Sequence, residues 1–336
     1  SGLVPQSIFN MSSLRVLSLA INGLSGMPGG PSNTSFSLPA VEFFSVARNR
    51  FSGPIPSELA ACRHLQGLFL SENSFQGVVP AWLGELTAVQ AIGLEDNNLD
   101  AAPIPSALSN LTMLRELDLH ACNLTGTIPL EFGQLRQLSL LILYDNLLTG
   151  HVPASLGNLS NMAYLGLQGN MLDGPLPMTI GDMNSLRGLL IAENYLRGDL
   201  AFLSVLSNCR MLSTLEFHTN HFAGTLVPDH VGNLSSNMRL FDASDNMIAG
   251  GLPATISNLT DLEILDLAGN QLQNPVPEPI MMMESIRFLV LSGNRLSGTI
   301  PWNAATNLKN IEIMYLDSNE FSGSIPSGIG NLSNLE

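Results

Sequence analysis

The chain has 336 residues, of which 45% are hydrophobic and 12% are charged, so it carries enough apolar material for a continuous core and lacks the composition of a disordered protein. Its 13 basic and 28 acidic residues give a formal net charge of −15, which excludes the basic surface that nucleic acids or anionic membranes require. No apolar run is long enough for a membrane span, and the first residues lack the basic and apolar regions of a signal peptide.

Thirteen short segments along the chain alternate apolar and other residues in the form L-x-L, which is the period of a β-strand. In the segment LDLAGN, Leu265 and Leu267 are predicted to point into a core and Asp266 to point away from it. The residues between the two apolar positions are, in chain order, Ser18, Ser45, Phe69, Gly93, Asp118, Ile142, Gly166, Leu190, Glu216, Asp242, Asp266, Val290 and Tyr315. Such strands are predicted to stack in parallel over one shared core.

Each strand leads into a turn that carries asparagine at a fixed position, or cysteine in one case. These positions are Asn22, Asn49, Asn73, Asn97, Cys122, Asn146, Asn170, Asn194, Asn220, Asn246, Asn270, Asn294 and Asn319. Their spacing of 24 to 27 residues, within the pattern L-x-L-x-x-N-x-L, indicates thirteen leucine-rich repeats. Because a buried amide both donates and accepts hydrogen bonds, these residues are predicted to form a ladder between neighbouring turns.

Most turns are followed by a stretch of the form S-G-x-I-P and then by L-G-N-L or I-S-N-L. Glycine permits unusual backbone angles and proline ends strand pairing, so we expect a turn followed by a short helical turn. The G-x-I-P stretches that fit lie at 53–56, 126–129, 150–153, 174–177, 298–301 and 323–326. The sequence therefore predicts an α/β repeat fold: one solenoid domain over residues 1–336, with a parallel β-sheet on its inner face and short helical turns on its outer face.

The repeat form L-S-G-x-I-P-x-x-L-G-N-L-x-x-L resembles the plant-specific leucine-rich repeats of receptor-like kinase and receptor-like protein ectodomains, and it covers the whole chain. Within residues 197–260, a missing I-P, the insert FLSVLSNCRML and the run VGNLSSNMRLFDASDN resemble the receptor-kinase subgroup that includes immune pattern receptors. The resemblance implies a right-handed curved superhelix at the extracellular face of the plasma membrane. It also implies a peptide or protein ligand, a co-receptor of the same repeat class, and a membrane span and serine/threonine kinase outside this chain.

The chain departs from these ectodomains because it lacks their cysteine-containing end caps. Cys62 and Cys209 lie in L-x-x-C-x-x-L frames, where a small apolar residue packs in the core, and neither is expected to pair with Cys122. We therefore expect an uncapped fragment of a larger ectodomain. Three alternatives stay open: a secreted inhibitor of a pathogen's cell-wall-degrading enzyme, a receptor-like protein without a kinase, and a scaffold without a ligand.

The side chains of the third to eighth repeats are predicted to form an apolar strip edged with acidic residues on the inner face. The candidate ligand-binding residues are Phe69, Glu95, Asp118, His120, Ile142, Tyr144, Gln168 and Leu190. Aromatic anchors among charged residues are typical of a protein or peptide interface. Scattered surface variation, or binding on a lateral face, is the alternative interpretation of the same residues.

No motif in the sequence indicates an enzyme, because a phosphate-binding loop, a nucleophile elbow and a zinc-protease helix are all missing from it. His218 and His221 flank Asn220 and are predicted to diverge, so we expect no metal site there. The sequence accordingly predicts a binding protein that uses no cofactor.

Eight N-x-S/T sequons occur in the chain, at Asn10, Asn33, Asn110, Asn123, Asn158, Asn233, Asn258 and Asn331. All of them except Asn33 and Asn123 share one position of the repeat, and among these six Asn233 is one residue out of register. Two readings stay open: a glycosylated flank that leaves the other faces bare, or a repeat consensus in which asparagine begins the helical turn. Both readings are typical of a secreted protein.

Overall fold

The structure is a computed structural model, and it describes residues 2–28, 36–305, 307–325, 329–330 and 332–336. The chain divides into two compact units, the first formed by residues 1–162 and 169–171 and the second by residues 163–168 and 172–336. Each unit is a stack of coils with one plan: a short strand, a turn, a second short strand and a short helix. The predicted leucine-rich repeat solenoid, with parallel strands and short helical turns, is confirmed.

In the first unit, six strands of three residues pair in parallel into one sheet. They are Val16–Ser18, Phe43–Ser45, Gly67–Phe69, Ala91–Gly93, Glu116–Asp118 and Leu140–Ile142. The middle residue of each strand is buried, and Leu117 is a fully enclosed example. Its two neighbours project from the opposite side of the sheet, which we call the strand face.

The second unit contains a corresponding parallel sheet. Its strands are Tyr164–Gly166, Gly188–Leu190, Thr214–Glu216, Leu240–Asp242, Ile264–Asp266, Phe288–Val290 and Ile313–Tyr315. Register is kept from strand to strand, so Glu216 pairs with Asp242 and Asp242 pairs with Asp266. Side chains at equivalent repeat positions therefore form rows across the sheet.

The first part of the S-G-x-I-P region forms a second series of parallel strands, where the sequence predicts only a turn. In the first unit these strands are Gly2–Leu3, Leu24–Gly26, Arg50–Pro54, Ser74–Gln76, Ala102–Pro103, Leu124–Gly126 and Leu147–Gly150. In the second unit they are Tyr195–Gly198, His221–Thr225, Met247–Gly250, Gln271–Asn274, Arg295–Thr299 and Glu320–Ser322. The strand Met171–Gly174 has its first residue in the first unit and the rest in the second.

The proline and glycine of the repeat act as the sequence predicts, because Gly126 has a φ of 72° and Pro129 directly precedes a 3₁₀ helix. The 3₁₀ helices are Gln6–Asn10, Ser57–Ala61, Ala81–Glu85, Ser106–Asn110, Leu130–Gln134 and Ala154–Asn158 in the first unit, and Met178–Asp182, Ala254–Asn258 and Glu278–Met282 in the second. The α-helices are Phe202–Leu206, Pro228–Gly232 and Trp302–Ala305. Coils pack closely here: a Cβ at Gly133 would overlap the carbonyl oxygen of Ser155 in the next coil. Pro326 lies outside the described residues.

The turn asparagines form hydrogen bonds within and between coils, as Asn146 illustrates. Its Nδ2 donates to the carbonyl oxygens of Leu119, Leu143 and Tyr144 at 2.9, 3.0 and 3.1 Å. Its Oδ1 accepts the backbone N–H of Leu124 at 2.9 Å. One buried amide thus satisfies backbone groups of two coils that have no access to water.

The ladder changes at Cys122. In an ordinary coil the amide oxygen accepts a backbone N–H from the preceding coil, as Asn97 does for Phe75 at 2.9 Å. Cys122 has no oxygen to offer the corresponding N–H of Leu99, although its Sγ donates to the carbonyl oxygen of Leu94 at 3.3 Å. The thiol therefore replaces the amide's hydrogen bond to the preceding coil but not its acceptor function.

The second series of strands is interrupted in the preceding coil, the one that contains Leu99. Ser74–Gln76 and Ala102–Pro103 belong to different sheets, although they come from consecutive coils. Just beyond the strand Ser74–Gln76, the backbone N–H of Asp100 donates to Gly77 O at 2.7 Å. The lost acceptor at the turn and the lost strand pairing thus coincide.

Candidate functional site

The strand face carries the first and third residues of each strand, because side chains alternate along an extended backbone. The third position contains several of the predicted site residues. The first position, which sequence reasoning missed, exposes further large apolar side chains, among them Phe43 in the first unit and Tyr164 in the second. The same period of two that placed the third position could have found the first.

An aromatic pair begins the site in the first unit. Phe43 and Phe69 come from adjacent strands, and their ring centroids are 5.2 Å apart. The Phe43 ring lies over Gly67, where a Cβ would overlap it. The Phe69 ring lies against Gly93, where a Cβ would overlap the Glu95 carboxylate and press on the ring. The two glycines leave room for the rings, and Phe69 is half-buried.

Glu95 lies beside this pair. Its carboxylate also covers Gly93, and its Oε2 atom is buried without a hydrogen-bond partner among the described residues. Burial raises the pKa of the Glu95 carboxyl, and the charge of Asp118 adds to the rise, while its own backbone N–H and the Ser71 hydroxyl oppose it. The site thus holds a carboxylate whose charged form is poorly solvated.

His120 lies between two carboxylates. Its Nδ1 is 2.7 Å from Asp118 Oδ1, and its Nε2 is 3.4 Å from Asp96 Oδ2. The backbone N–H of His120 also donates to Asp118 Oδ1, at 3.2 Å. Since only 15% of the His120 side chain is exposed, the imidazole is held within the surface rather than extended into solvent.

Tyr144 closes the site on the side of the next coil. Its ring stacks on the imidazole of His120 with a centroid distance of 4.2 Å and an interplanar angle of 18°. Partial burial raises the pKa of the Tyr144 hydroxyl, as do the charges of Asp118 and Asp96. Tyr144 is therefore neutral and offers a hydroxyl that both donates and accepts hydrogen bonds.

The structure brings five predicted residues together in the first unit, and two lie in the second unit. We call the group Phe43, Phe69, Glu95, Asp96, Asp118, His120 and Tyr144 the acidic–aromatic site. Ile142 borders it, because Ile142 pairs in register with Asp118. Gln168 and Leu190 belong to the second unit, where Leu190 approaches the ring of Tyr164 over Gly188.

A row of carboxylates crosses the strand face of the second unit. Glu216, Asp242 and Asp266 occupy equivalent positions on adjacent strands. Burial raises the pKa of Asp266 to about 6, and Asp242 and Asp245 contribute to the rise while a hydrogen bond from the backbone N–H of Ala268 opposes it. His218 lies near this row, and its charge opposes the rise in the pKa of Glu216 and of Asp266.

The other predicted positions are distributed around the coils. Asn10, Asn110, Asn158 and Asn258 each end a 3₁₀ helix, and Asn233 directly follows an α-helix; all five are exposed on what we call the helix flank. Asn123 is exposed next to Cys122, and its Nδ2 donates to Leu99 O at 3.3 Å. Asn33 and Asn331 lie outside the described residues.

The histidines of the H-T-N-H motif diverge, as predicted. His218 contacts the hydroxyl of Thr219, whereas the ring of His221 stacks on Tyr195 at 6.1 Å. Within the described ranges, no three histidine, cysteine or acidic side chains lie close enough to hold a metal ion. All three cysteines are buried thiols, and burial raises the pKa of Cys62 and of Cys209 to about 11.

Comparison with known proteins agrees with this architecture. The family model described as Leucine Rich Repeat matches residues 113–135, 261–283, 285–306 and 310–332. The plant peptide hormone receptor RGFR1, solved in complex with RGF2, superposes with a TM-score of 0.91 at 32% identity, over 99% of this chain and 52% of that one. This chain thus spans about half of the RGFR1 structure and has the same fold.

Curated relatives include two plant receptor kinases and Receptor-like protein 41 of Arabidopsis thaliana, which is 33% identical over 132 residues, 38% of this chain and 14% of that protein. Receptor-like kinase TMK2 of Arabidopsis thaliana is 35% identical over 92 residues, which are 27% of this chain and 10% of TMK2. Receptor kinase-like protein Xa21 of Oryza sativa subsp. japonica is 37% identical over 65 residues, which are 19% of this chain and 6% of Xa21. The chain is therefore similar to the leucine-rich repeat ectodomains of plant receptor kinases. None of the helices in the described part of the chain has the length and apolarity that crossing a bilayer demands.

Proposed function

We propose that this leucine-rich repeat chain is part of the extracellular ligand-binding domain of a plant receptor-like serine/threonine kinase that acts in immune or developmental signalling. We further propose that the acidic–aromatic site of the first unit binds a peptide ligand. The observation that carries this second proposal is the stack of His120 on Tyr144 beside Asp96 and Asp118. It combines aromatic area, hydrogen-bonding groups and negative charge in one place on a rigid sheet.

The chemistry of the site favours a peptide with apolar and basic side chains. The rings of Phe43 and Phe69 offer apolar area to one part of such a ligand, and Asp96 and Asp118 offer carboxylates to another. The overall charge of −15 also attracts a basic ligand during encounter. RGFR1, which shares the fold, is itself a peptide hormone receptor.

The proposal includes the cellular setting that the relatives share. The chain would face the outside of the plasma membrane, its exposed sequons would carry glycans, and a co-receptor of the same repeat class would join the complex. The kinase would reside in a part of the receptor that this sequence does not include. Residues 1–336 would then act as a binding segment within a longer ectodomain.

A binding screen with variants tests the proposal. The chain is immobilised and exposed to a panel of synthetic secreted plant peptides, and affinities are measured for each peptide that binds. Replacing Tyr144 or Asp118 by alanine is expected to weaken binding by more than ~1 kcal/mol each, as is usual for anchor residues. Unchanged affinity in both variants would refute this placement of the ligand.

Tyr195→Ala is the matched control. Tyr195 also stacks on a histidine, His221, but it begins a strand of the second series rather than lying at the strand face. The same loss of a tyrosine ring at that position is expected to leave the affinity unchanged. Equal losses in Tyr144→Ala and Tyr195→Ala would indicate a general structural effect and contradict the proposed site.

A further inference from the structure

The protonation of His120 decides how much negative charge the acidic–aromatic site presents. Both ring nitrogens of His120 face carboxylate oxygens, Nδ1 at 2.7 Å from Asp118 and Nε2 at 3.4 Å from Asp96. A neutral imidazole has one N–H donor and one lone pair, so it can donate to only one of these carboxylates. The other carboxylate would then face a lone pair. Only the imidazolium, with two N–H donors, satisfies both contacts.

The surroundings keep the ring in this arrangement. Tyr144 stacks on one face of the imidazole, and only 15% of the His120 side chain is exposed. The ring cannot turn away without breaking the stack, so a change in its charge acts on the two carboxylates directly. Imidazole is the side chain whose charge ordinarily changes between pH 5 and 8.

We propose that His120 is a pH-dependent internal counter-ion that competes with a lysine or arginine side chain of the peptide ligand for Asp96 and Asp118. When protonated, His120 occupies both carboxylates. When it is deprotonated, the site gains one unit of negative charge, and one carboxylate is released for the cation of the ligand. This inference rests on the proposed function and specifies the ligand as a peptide with a basic residue, bound more tightly as the pH rises.

The other titratable groups that surround His120 come from three consecutive coils. The preceding coil contributes Glu95 and Asp96, the coil of His120 contributes Asp118, and the following coil contributes Tyr144 and the exposed Asp145. Burial raises the pKa of Glu95, so its ionisation also makes the site more negative as the pH rises. A test must therefore separate Glu95 from His120.

The distance between the aromatic pair and the His120 carboxylates defines a probe peptide. Phe69 and Asp118 lie two strands apart, which is about 10 Å, and an extended peptide covers that distance in about three residues. The probe is therefore acetyl-Phe-Gly-Gly-Arg-Gly-amide, and its twin carries citrulline in place of arginine. The twin has nearly the same shape but is neutral, because a urea carbonyl oxygen replaces one NH2 group of the guanidinium.

The experiment measures binding of both probes to the 336-residue chain by NMR at pH 5.5 and pH 8, with His120→Gln, Glu95→Gln and His221→Gln variants. In the wild type, the arginine probe is expected to bind roughly fivefold more tightly at pH 8 than at pH 5.5, which is the effect of one partly exposed ion pair. The citrulline probe is expected to bind equally at the two pH values. His120→Gln is expected to abolish most of this pH dependence. Glu95→Gln and His221→Gln are expected to keep it.

Three results would overturn the inference: a pH dependence that persists in His120→Gln, an arginine probe that binds no better than its citrulline twin, or an arginine probe that does not bind at 5 mM at pH 8. The inference and the proposed function fail separately. A ligand from the peptide screen that depends on Tyr144 and Asp118, but binds equally at pH 5.5 and pH 8, would leave the proposed function standing and remove the role of His120.

Discussion

The imidazole of His120 lies face to face with the ring of Tyr144, at a centroid distance of 4.2 Å. The two residues belong to consecutive coils and each follows a strand of the first sheet, so the stack joins two coils on their exposed side. The carboxylate of Asp118 contacts both the backbone N–H and the Nδ1 atom of His120. Because both rings are fixed by neighbours, their arrangement is available to a ligand without further ordering of side chains.

Replacing Asn146 by alanine is expected to destabilise the coils around it by about 2 to 4 kcal/mol, because three carbonyl oxygens and the N–H of Leu124 lose their buried partner. Hydrogen exchange read by mass spectrometry measures this locally, which suits a solenoid in which neighbouring coils carry the stability. Asn161→Ala is the control, since Asn161 is exposed and donates one hydrogen bond, to Arg136 O. Equal exchange rates in the two variants would contradict the ladder's role.

Replacing Cys122 by asparagine is expected to stabilise the first unit by about 1 kcal/mol, because the new amide oxygen can accept the N–H of Leu99 while the amide nitrogen keeps the donor role of Sγ. Slower hydrogen exchange at residues 98–103 would report the gain. The same change at the core residue Cys62 supplies the contrast: it buries an amide in an apolar frame and is expected to destabilise the chain by about 2 kcal/mol. A destabilising Cys122→Asn would show that the thiol is preferred at this turn.

Replacing Asp266 by asparagine is expected to stabilise the second unit at neutral pH. The pKa of Asp266 is about 6 in the folded chain and about 4 in an unfolded one, so the folded state binds more protons between these values and the free energy of unfolding falls as the pH rises from 4 to 6. Asparagine keeps the acceptor for Ala268 N–H and removes the charge. Because Asp266 is partly solvated, we expect about 1 kcal/mol at pH 7 and no gain below pH 4.

Urea unfolding at pH 3.5 and pH 7, followed by the loss of circular dichroism, measures this difference. Asp261→Asn serves as the comparison, because Asp261 is an exposed aspartate of the same coil. It is expected to change the unfolding midpoint little at either pH. A gain for Asp266→Asn that is equally large at pH 3.5 would contradict an electrostatic origin.

The exposed sequons of the helix flank are expected to carry N-glycans when the chain passes through the plant secretory pathway. Asn110 and Asn158 end their 3₁₀ helices with exposed side chains, so a glycan at either would extend away from the sheet. Enzymatic glycan removal in ¹⁸O-water marks each occupied asparagine as a labelled aspartate. Unlabelled Asn110 and Asn158 in secreted material would contradict the prediction.

Periodicity in the sequence was sufficient to predict the strands, because the apolar position that Leu117 occupies recurs every 24 to 27 residues and Leu117 is buried. The same recurrence placed the turn asparagines and the helical turns. It did not predict the second series of strands, since the glycine and proline of S-G-x-I-P indicate a turn. The structure shows that Leu124–Gly126 pairs with its neighbours before Pro129 ends the run.

The contacts within the candidate site could not be predicted from the sequence. Period-two alternation indicates that His120 and Tyr144 face outward, but only the coil-to-coil spacing shows that their rings stack. Phe43 was missed because only the position between the two leucines and the two positions before each turn asparagine were considered. The close packing of the Phe43 and Phe69 rings depends on Gly67 and Gly93 in adjacent coils, a relationship that no single repeat contains.

Photo-crosslinking is the most direct test of peptide binding at the acidic–aromatic site. p-Benzoylphenylalanine is placed at position 144 in one chain and at position 195 in another, and each is irradiated with a peptide ligand found in the screen. A ligand at the strand face of the first unit is expected to give a crosslinked product with the chain that carries the probe in place of Tyr144, and none with the chain that carries it in place of Tyr195. Crosslinking at 195 without crosslinking at 144 would contradict this expectation and move the ligand away from the strand face of the first unit.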